Sequence, residues 1–67
     1  MDITFNNSLQ TIDAPASIQA LLRQFVGDKQ KGIAVAVNQA VVPRSEWDNH
    51  VVQAGDNVWV IRATQGG

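Results

Sequence analysis

The fold depends most on residues 57–62, which read Asn-Val-Trp-Val-Ile-Arg. β-Branched and aromatic side chains occur at both odd and even positions of this stretch, a pattern typical of a central strand that is partly covered on each face. The residues that follow, Ala-Thr-Gln-Gly-Gly, are small or polar. They offer too few apolar side chains to pack against the domain, and glycine loses more conformational entropy on ordering than other residues do. The sequence therefore predicts a domain at residues 1–62 and a flexible tail at residues 63–67.

Upstream of this strand, the sequence predicts one amphipathic helix. Apolar residues recur at i, i+3, i+4 and i+7 from Ile18, the spacing of a helix that buries a single face. Ser17 is a good N-cap, and Gly27 suits the position just after the last turn. We therefore expect a helix at residues 18–26.

The remaining apolar stretches have the alternation of strands. Residues 2–5 and 9–13 flank an Asn-Asn-Ser cluster and predict a hairpin. Residues 32–37 alternate branched residues with alanine, which indicates a half-buried strand with a smooth outer face. A turn at residues 38–40 then leads into a second, shorter strand that ends before Pro43, since proline has no N–H for a ladder.

Two weaker elements precede the final strand. Ser45 is expected to cap a helical turn at residues 45–48, and residues 51–52 form a short extended piece. The order ββαββ predicts an α+β fold, in which a mixed four to five stranded sheet packs on one main helix. We expect the first and last strands to lie side by side in the middle of the sheet.

Composition narrows the classes of function. The chain has 67 residues, enough for one domain, and its five basic and six acidic residues give a net charge of -1. No basic patch for nucleic acid is present, and no apolar run suits a membrane span or a signal peptide, so we expect a cytoplasmic protein. The absence of cysteine excludes disulfides, thiolate metal sites and cysteine nucleophiles.

The chain offers no active site of its own. His50 is the single histidine, without a second ligand for a metal, and the five glycines do not form a phosphate-binding loop. We therefore expect neither a metal site nor catalytic residues, and the protein is not an enzyme. What remains is the carboxylate of Gly67, at the end of a tail that reaches about 16 Å at roughly 3.3 Å per residue. Such a tail can enter the active site of another enzyme.

Three segments carry a resemblance to a known family. They are Val-Asn-Gln-Ala-Val-Val-Pro-Arg-Ser-Glu-Trp at residues 37–47, Gly-Asp-Asn at residues 55–57, and the terminal pair Gly66-Gly67. The run at residues 37–47 is the specific part, whereas the glycine pair recurs among related carriers. With its similar length, the whole chain resembles the thiamine-biosynthesis sulfur carrier family, ThiS, whose fold is the ubiquitin-like β-grasp.

The resemblance implies a cycle with three partners. An adenylating enzyme of the E1-like type uses ATP and magnesium to activate the Gly67 carboxylate. A persulfide sulfur donor converts the adenylate to a thiocarboxylate, and thiazole synthase takes the sulfur. The chain itself would bind no cofactor, and Gly66 and Gln65 would form the tail that enters each partner.

The resemblance also implies a docking face. In related ubiquitin-like folds the positions of Trp59 and Ile61 face away from the helix, where the small side chains of Ala34 and Ala36 would join them in an apolar patch. In the alternative interpretation, Trp59 is covered by the loop at residues 43–50. Trp47, in contrast, is expected to be structural.

Other functions stay open at this point. The small subunit of molybdopterin synthase shares the fold and the Gly-Gly end, although the segment at residues 37–47 favours a sulfur carrier of thiamine biosynthesis. A ubiquitin-like modifier would be activated in the same way and then joined to lysines. A non-covalent binding module would use only the face around Trp59.

Overall fold

The computed structural model describes residues 1–27 and 31–62. Within these ranges the chain forms a series of strands around one α-helix. The elements are β1 (Asp2–Phe5), β2 (Ser8–Thr11), β3 (Ala16–Ser17), α1 (Ile18–Phe25), β4 (Ile33–Val37), β5 (Ala40–Val42), a 3₁₀ helix (Arg44–Glu46), β6 (Val51–Val52) and β7 (Asn57–Arg62). The predicted tail, residues 63–67, lies outside the described residues.

Five of the strands form one mixed sheet in the order β2-β1-β7-β4-β5. The central strand β7 runs parallel to β1 and antiparallel to β4. The prediction that the first and last strands lie side by side in the middle is therefore confirmed. The short strands β3 and β6 pair antiparallel in a separate ribbon that the sequence did not predict.

Both hairpins turn on two residues with positive φ. Asn6 and Asn7 have φ values of 51° and 69°, and Asn38 and Gln39 have values of 51° and 73°. Turns of this kind match the right-handed twist of the flanking strands, and asparagine tolerates their left-handed backbone. Because two residues are enough for the first turn, β2 begins at Ser8, one residue earlier than predicted.

The predicted helix and its N-cap are confirmed. The Ser17 hydroxyl oxygen accepts a hydrogen bond from the backbone N–H of Ala20 at 3.1 Å. Helix α1 ends at Phe25, one residue earlier than predicted, and Val26 is its C-cap. Gly27 follows with a φ of 77°, a conformation in which a Cβ atom would be strained.

The segment between β5 and β6 is fastened to the start of α1. Trp47 is buried, and its indole Nε1 donates to the carbonyl of Val42 at 2.9 Å, so its structural role is confirmed. The carbonyls of His50 and Trp47 accept hydrogen bonds from the N–H groups of Ile18 and Gln19. The segment thus satisfies donors that a helix leaves unpaired at its first turn.

The expectation that Ser45 caps this helical turn is wrong. The 3₁₀ helix begins at Arg44, behind Pro43, and has no side-chain cap. Ser45 already lies inside the helix, because the backbone of Pro43, with φ of -60° and ψ of 150°, makes the entry into it.

The core lies between α1 and the inner face of the large sheet. It contains residues from the helix, from four of the five strands of this sheet, from β6 and from the segment around Trp47, namely Ile3, Ile12, Ile18, Leu21, Leu22, Val35, Val37, Val42, Trp47, Val52 and Val58. Helix α1 thus covers one face of the large sheet, whereas the opposite face has exposed side chains such as Trp59 and Ile61.

None of the helices in the described ranges has the length and apolar character needed to cross a membrane.

Candidate functional site

The central strand presents its larger apolar side chains away from the helix. Val58 is buried in the core, whereas Trp59 is 38% exposed and Ile61 is 61% exposed. In the ladder between β4 and β7, Ala36 pairs with Trp59 and Ala34 pairs with Ile61. Directly paired residues project from the same face of a sheet, so the structure brings the four predicted docking residues together.

Two further residues enlarge this patch. Val41, which is 75% exposed, pairs with Ala36 and continues the row that starts at Trp59. Leu9 is 69% exposed and pairs with Thr4 of β1 on the same face. We call the set of Leu9, Ala34, Ala36, Val41, Trp59 and Ile61 the outer apolar face. Sequence reasoning missed Leu9 and Val41, although Val41 alternates with the buried Val42, a pattern that indicates an outward side chain.

The loop at residues 43–50 does not cover Trp59. Trp59 is exposed, and the carbonyls of Trp47 and His50 in this loop accept hydrogen bonds from the start of α1, which covers the other face of the sheet. The alternative interpretation of Trp59 is therefore wrong, and the outer apolar face is accessible to a partner.

A group of polar side chains holds the start of β7. The backbone N–H of Asn57 donates to Asn38 Oδ1 at 2.9 Å, and Asn38 Nδ2 donates to Asp56 Oδ1 at 3.0 Å. Asp56 Oδ2 in turn accepts from the N–H of Gln53 at 2.8 Å, across a turn in which Gly55 has a φ of 85°. The Gly-Asp-Asn segment therefore fixes where the central strand begins, relative to the hairpin of β4 and β5.

Farther along β7, the side chain of Asn6 forms hydrogen bonds with Val60. Sequence reasoning did not single out Asn6. Its Oδ1 accepts from the N–H of Val60 at 2.7 Å, and its Nδ2 donates to the carbonyl of Val60 at 3.2 Å. The side-chain amide thus continues the pairing of β1 beyond the point where that strand turns away. On the other side of β7, Arg62 pairs with Ile33. β7 is therefore bonded as far as Val60 on the β1 side and paired as far as Arg62 on the β4 side.

No metal centre is evident in residues 1–27 and 31–62, because these ranges hold no group of three or more His, Cys, Asp or Glu residues close enough to bind an ion. His50 is half-buried, and its carbonyl bonds the N–H of Ile18. The outer apolar face itself contains no charged side chain. Because its side chains are apolar, this face suits contact with an apolar surface of another protein.

A comparison with family models decides the family. The model described as the ThiS family matches residues 3–67. The chain belongs to the ThiS family. It is 37% identical to the sulfur carrier protein ThiS of Escherichia coli (strain K12) over 67 residues, which cover 100% of each chain.

Solved ThiS structures share the fold. The crystal structure of the thiamine biosynthesis protein ThiS from Geobacter metallireducens is 26% identical, covers 100% of each chain and has a TM-score of 0.87. A solution structure of a thiamine biosynthesis protein from the same organism is also 26% identical, covers 100% of this chain and 88% of that one, and has a TM-score of 0.79. The resemblance and the α+β β-grasp fold are both confirmed.

The segment at residues 37–47, which carries the resemblance to ThiS, has a structural role. It contains the β4–β5 turn and β5, and it ends at the buried Trp47, whose indole N–H binds the end of β5. The other predicted site residues, Gln65, Gly66 and Gly67, lie outside the described residues. Their role stays a prediction.

Proposed function

We propose that this chain is a sulfur carrier protein of thiamine biosynthesis, and that the carboxylate of Gly67 holds the sulfur. One observation carries the proposal: the match to the ThiS family continues through residue 67. The 37% identity with the E. coli sulfur carrier over the full length of both chains supports it. In this function the protein is a substrate of other enzymes and not a catalyst.

The chemistry starts at a carboxylate that is ionised at neutral pH. An E1-like adenylating partner, with ATP and magnesium, directs one oxygen of Gly67 to the α-phosphate and releases pyrophosphate. A cysteine persulfide then displaces AMP, and a thiol reduces the resulting acyl disulfide to leave the thiocarboxylate. Thiazole synthase takes the sulfur from it. These ATP-dependent steps belong in the cytoplasm.

The chain contributes reach and access to these steps. Five residues follow Arg62, and at roughly 3.3 Å per residue they can extend about 16 Å from the sheet. Gly66 and Gly67 have no Cβ atoms, so a narrow channel can accept them and hold them through backbone hydrogen bonds. Because the chain has no cysteine, a side-chain thiol cannot hold the sulfur.

Docking of the adenylating partner is assigned to the outer apolar face. Its largest side chains, Leu9, Val41, Trp59 and Ile61, are exposed, and none of its six residues is charged. A patch of only a few side chains is smaller than a standard stable interface, which buries about 800 Å² per partner. Such a small patch suits a carrier that must leave one enzyme and bind the next.

Intact mass spectrometry tests the proposal. After incubation with an adenylating enzyme of this pathway, ATP, magnesium and a persulfide donor, we expect a mass gain equal to the replacement of one oxygen by sulfur. Deletion of Gly67 should abolish the gain. Gly67→Ala is the matched control, because it keeps a terminal carboxylate and adds one Cβ, and we expect it to load more slowly.

Other outcomes would overturn the proposal. An unchanged mass despite tight partner binding would indicate a non-covalent binding module. A ladder of adducts on lysine-containing proteins would indicate a modifier.

A further inference from the structure

A second surface lies at the open edge of β2. This strand is the outermost of the large sheet, with β1 on its other side. Met1 and Ile12 exchange two hydrogen bonds, at 2.7 and 2.8 Å, which sets the alternation of the β1–β2 ladder. It follows that Leu9 and Thr11 turn their backbone N–H and C=O groups away from β1. Among the described residues, 1–27 and 31–62, β1 is the one strand that pairs with β2.

The β2 edge lacks the devices that usually protect an edge strand. Proteins commonly place proline, lysine or another charge on such strands to prevent pairing with other chains. β2 reads Ser-Leu-Gln-Thr, without a charge or a proline, and it is four residues long. The opposite edge strand, β5, is shorter and is followed directly by Pro43. The two edges therefore differ, and only the β2 edge presents a regular row of unprotected groups.

A groove continues this edge toward the helix. It has a volume of about 280 Å³ and lies between the end of β2 and α1. Five of its eight lining residues are apolar, although polar atoms make up more than half of its exposed surface, and Asp13 is its one charged residue. The residues around it include Thr11, Ile12, Asp13, Pro15, Leu21 and Gln24. A side chain held in this groove would be next to the carboxylate of Asp13.

We infer that the β2 edge and this groove bind an extended peptide segment of a partner protein, which lays the apolar stem of a basic side chain in the groove and its charged head against Asp13. The segment adds a strand antiparallel to β2 and bonds the outward groups of Leu9 and Thr11. Edge hydrogen bonds hold any extended backbone, whereas the groove and the carboxylate select the side chains. This surface shares Leu9 with the outer apolar face, but it uses the backbone of Leu9, whereas the outer apolar face uses its side chain.

A second copy of the chain fits this surface less well. If two β2 strands paired antiparallel around Gln10, Asn7 of the second copy would lie opposite Asp13. Asparagine supplies no positive charge, so the carboxylate would stay without a basic partner. The charge of the groove therefore favours a different chain.

The test uses a capped synthetic peptide with the sequence Lys-Val-Thr-Val-Thr and the full-length protein labelled with ¹⁵N. We expect the amide signals of Leu9 and Thr11 to shift during titration, with little change at Trp59. N-Methylation of the peptide at the two positions that face β2 should weaken binding about tenfold, since it removes two hydrogen bonds. Asp13→Asn should weaken binding about threefold at low salt and less at high salt.

Leu9→Pro supplies a test from the side of the protein, because proline removes an N–H that points to solvent and is tolerated on an edge strand. We expect it to fold and to lose peptide binding. If Leu9→Pro does not fold, the N-methylated peptide decides the question. Equal affinity of the methylated and unmethylated peptides overturns the inference. So does an absence of shifts at Leu9 and Thr11 when other residues shift or none does, and so do shifts at Leu9 that depend only on the concentration of the protein itself.

Discussion

Replacement of Ile61 by alanine separates docking from folding on the outer apolar face. Complete burial of an isoleucine side chain contributes about 1.5–3 kcal/mol. Ile61 is 61% exposed, so folding buries about two fifths of it and accounts for roughly 0.6–1.2 kcal/mol. Docking that covers the rest would add roughly 0.9–1.8 kcal/mol, or about 5- to 20-fold in the dissociation constant. We therefore expect Ile61→Ala to weaken docking more than folding.

The same reasoning shows why Trp59 is the poorer probe. Its side chain is 38% exposed, so its truncation removes more area that is buried in the folded chain than area that a partner could cover. Val51→Ala is the matched control for Ile61→Ala. Val51 is 45% exposed, but it lies on β6 and pairs with Ser17 in the small ribbon, away from the outer apolar face.

The assay is isothermal titration of the purified adenylating enzyme with each variant, alongside urea unfolding of the variant alone. Ile61→Ala should raise the dissociation constant by the factor given above, while Val51→Ala should leave it unchanged and lower only the free energy of unfolding. Equal dissociation constants for the two variants would show that the outer apolar face is not the docking surface.

Two further predictions concern stability. Asn6→Gly keeps a residue that tolerates positive φ but removes both side-chain hydrogen bonds to Val60, so we expect it to lower the free energy of unfolding by about 1–2 kcal/mol and to speed amide exchange at Val60; Asn7→Gly, its control, should change stability little, and equal losses in the two variants would contradict this role of Asn6. Trp47→Phe removes the buried indole N–H bond and leaves a small cavity, which should cost about 2 kcal/mol in urea unfolding followed by circular dichroism; a loss under about 0.5 kcal/mol would mean that Trp47 is not needed to fasten its loop.

Local patterns were sufficient to predict the main elements. The apolar spacing from Ile18, between Ser17 and Gly27, predicted α1 with an error of one residue at its end. Residues 57–62 predicted a central strand, because β-branched and aromatic side chains occur on both faces of this strand. In each case the signal comes from residues close together in the chain.

The features that sequence reasoning missed depend on contacts between distant residues. The β3–β6 ribbon has only two residues in each strand, too few to show an alternation. The two bonds from Asn6 to Val60 join residues 54 positions apart, and nothing near Asn6 indicates that its amide continues a ladder. Leu9 joins the outer apolar face only through the register of its hairpin. The role of Gly67 came from the family resemblance and not from any such contact.

The central position of the last strand also determines when the sheet can form during synthesis. Without β7, the sheet separates into two hairpins, β1–β2 and β4–β5, and an isolated hairpin is marginal in water. The pairing of Thr4 with Asn57 joins residues 53 positions apart, so it must wait until almost the whole chain has left the ribosome. A chain truncated before residue 57 lacks the centre of the sheet, the proposed docking residues Trp59 and Ile61, and the terminal glycines together. A carrier that cannot load sulfur because its end is missing therefore also lacks the surface with which it would occupy the activating enzyme.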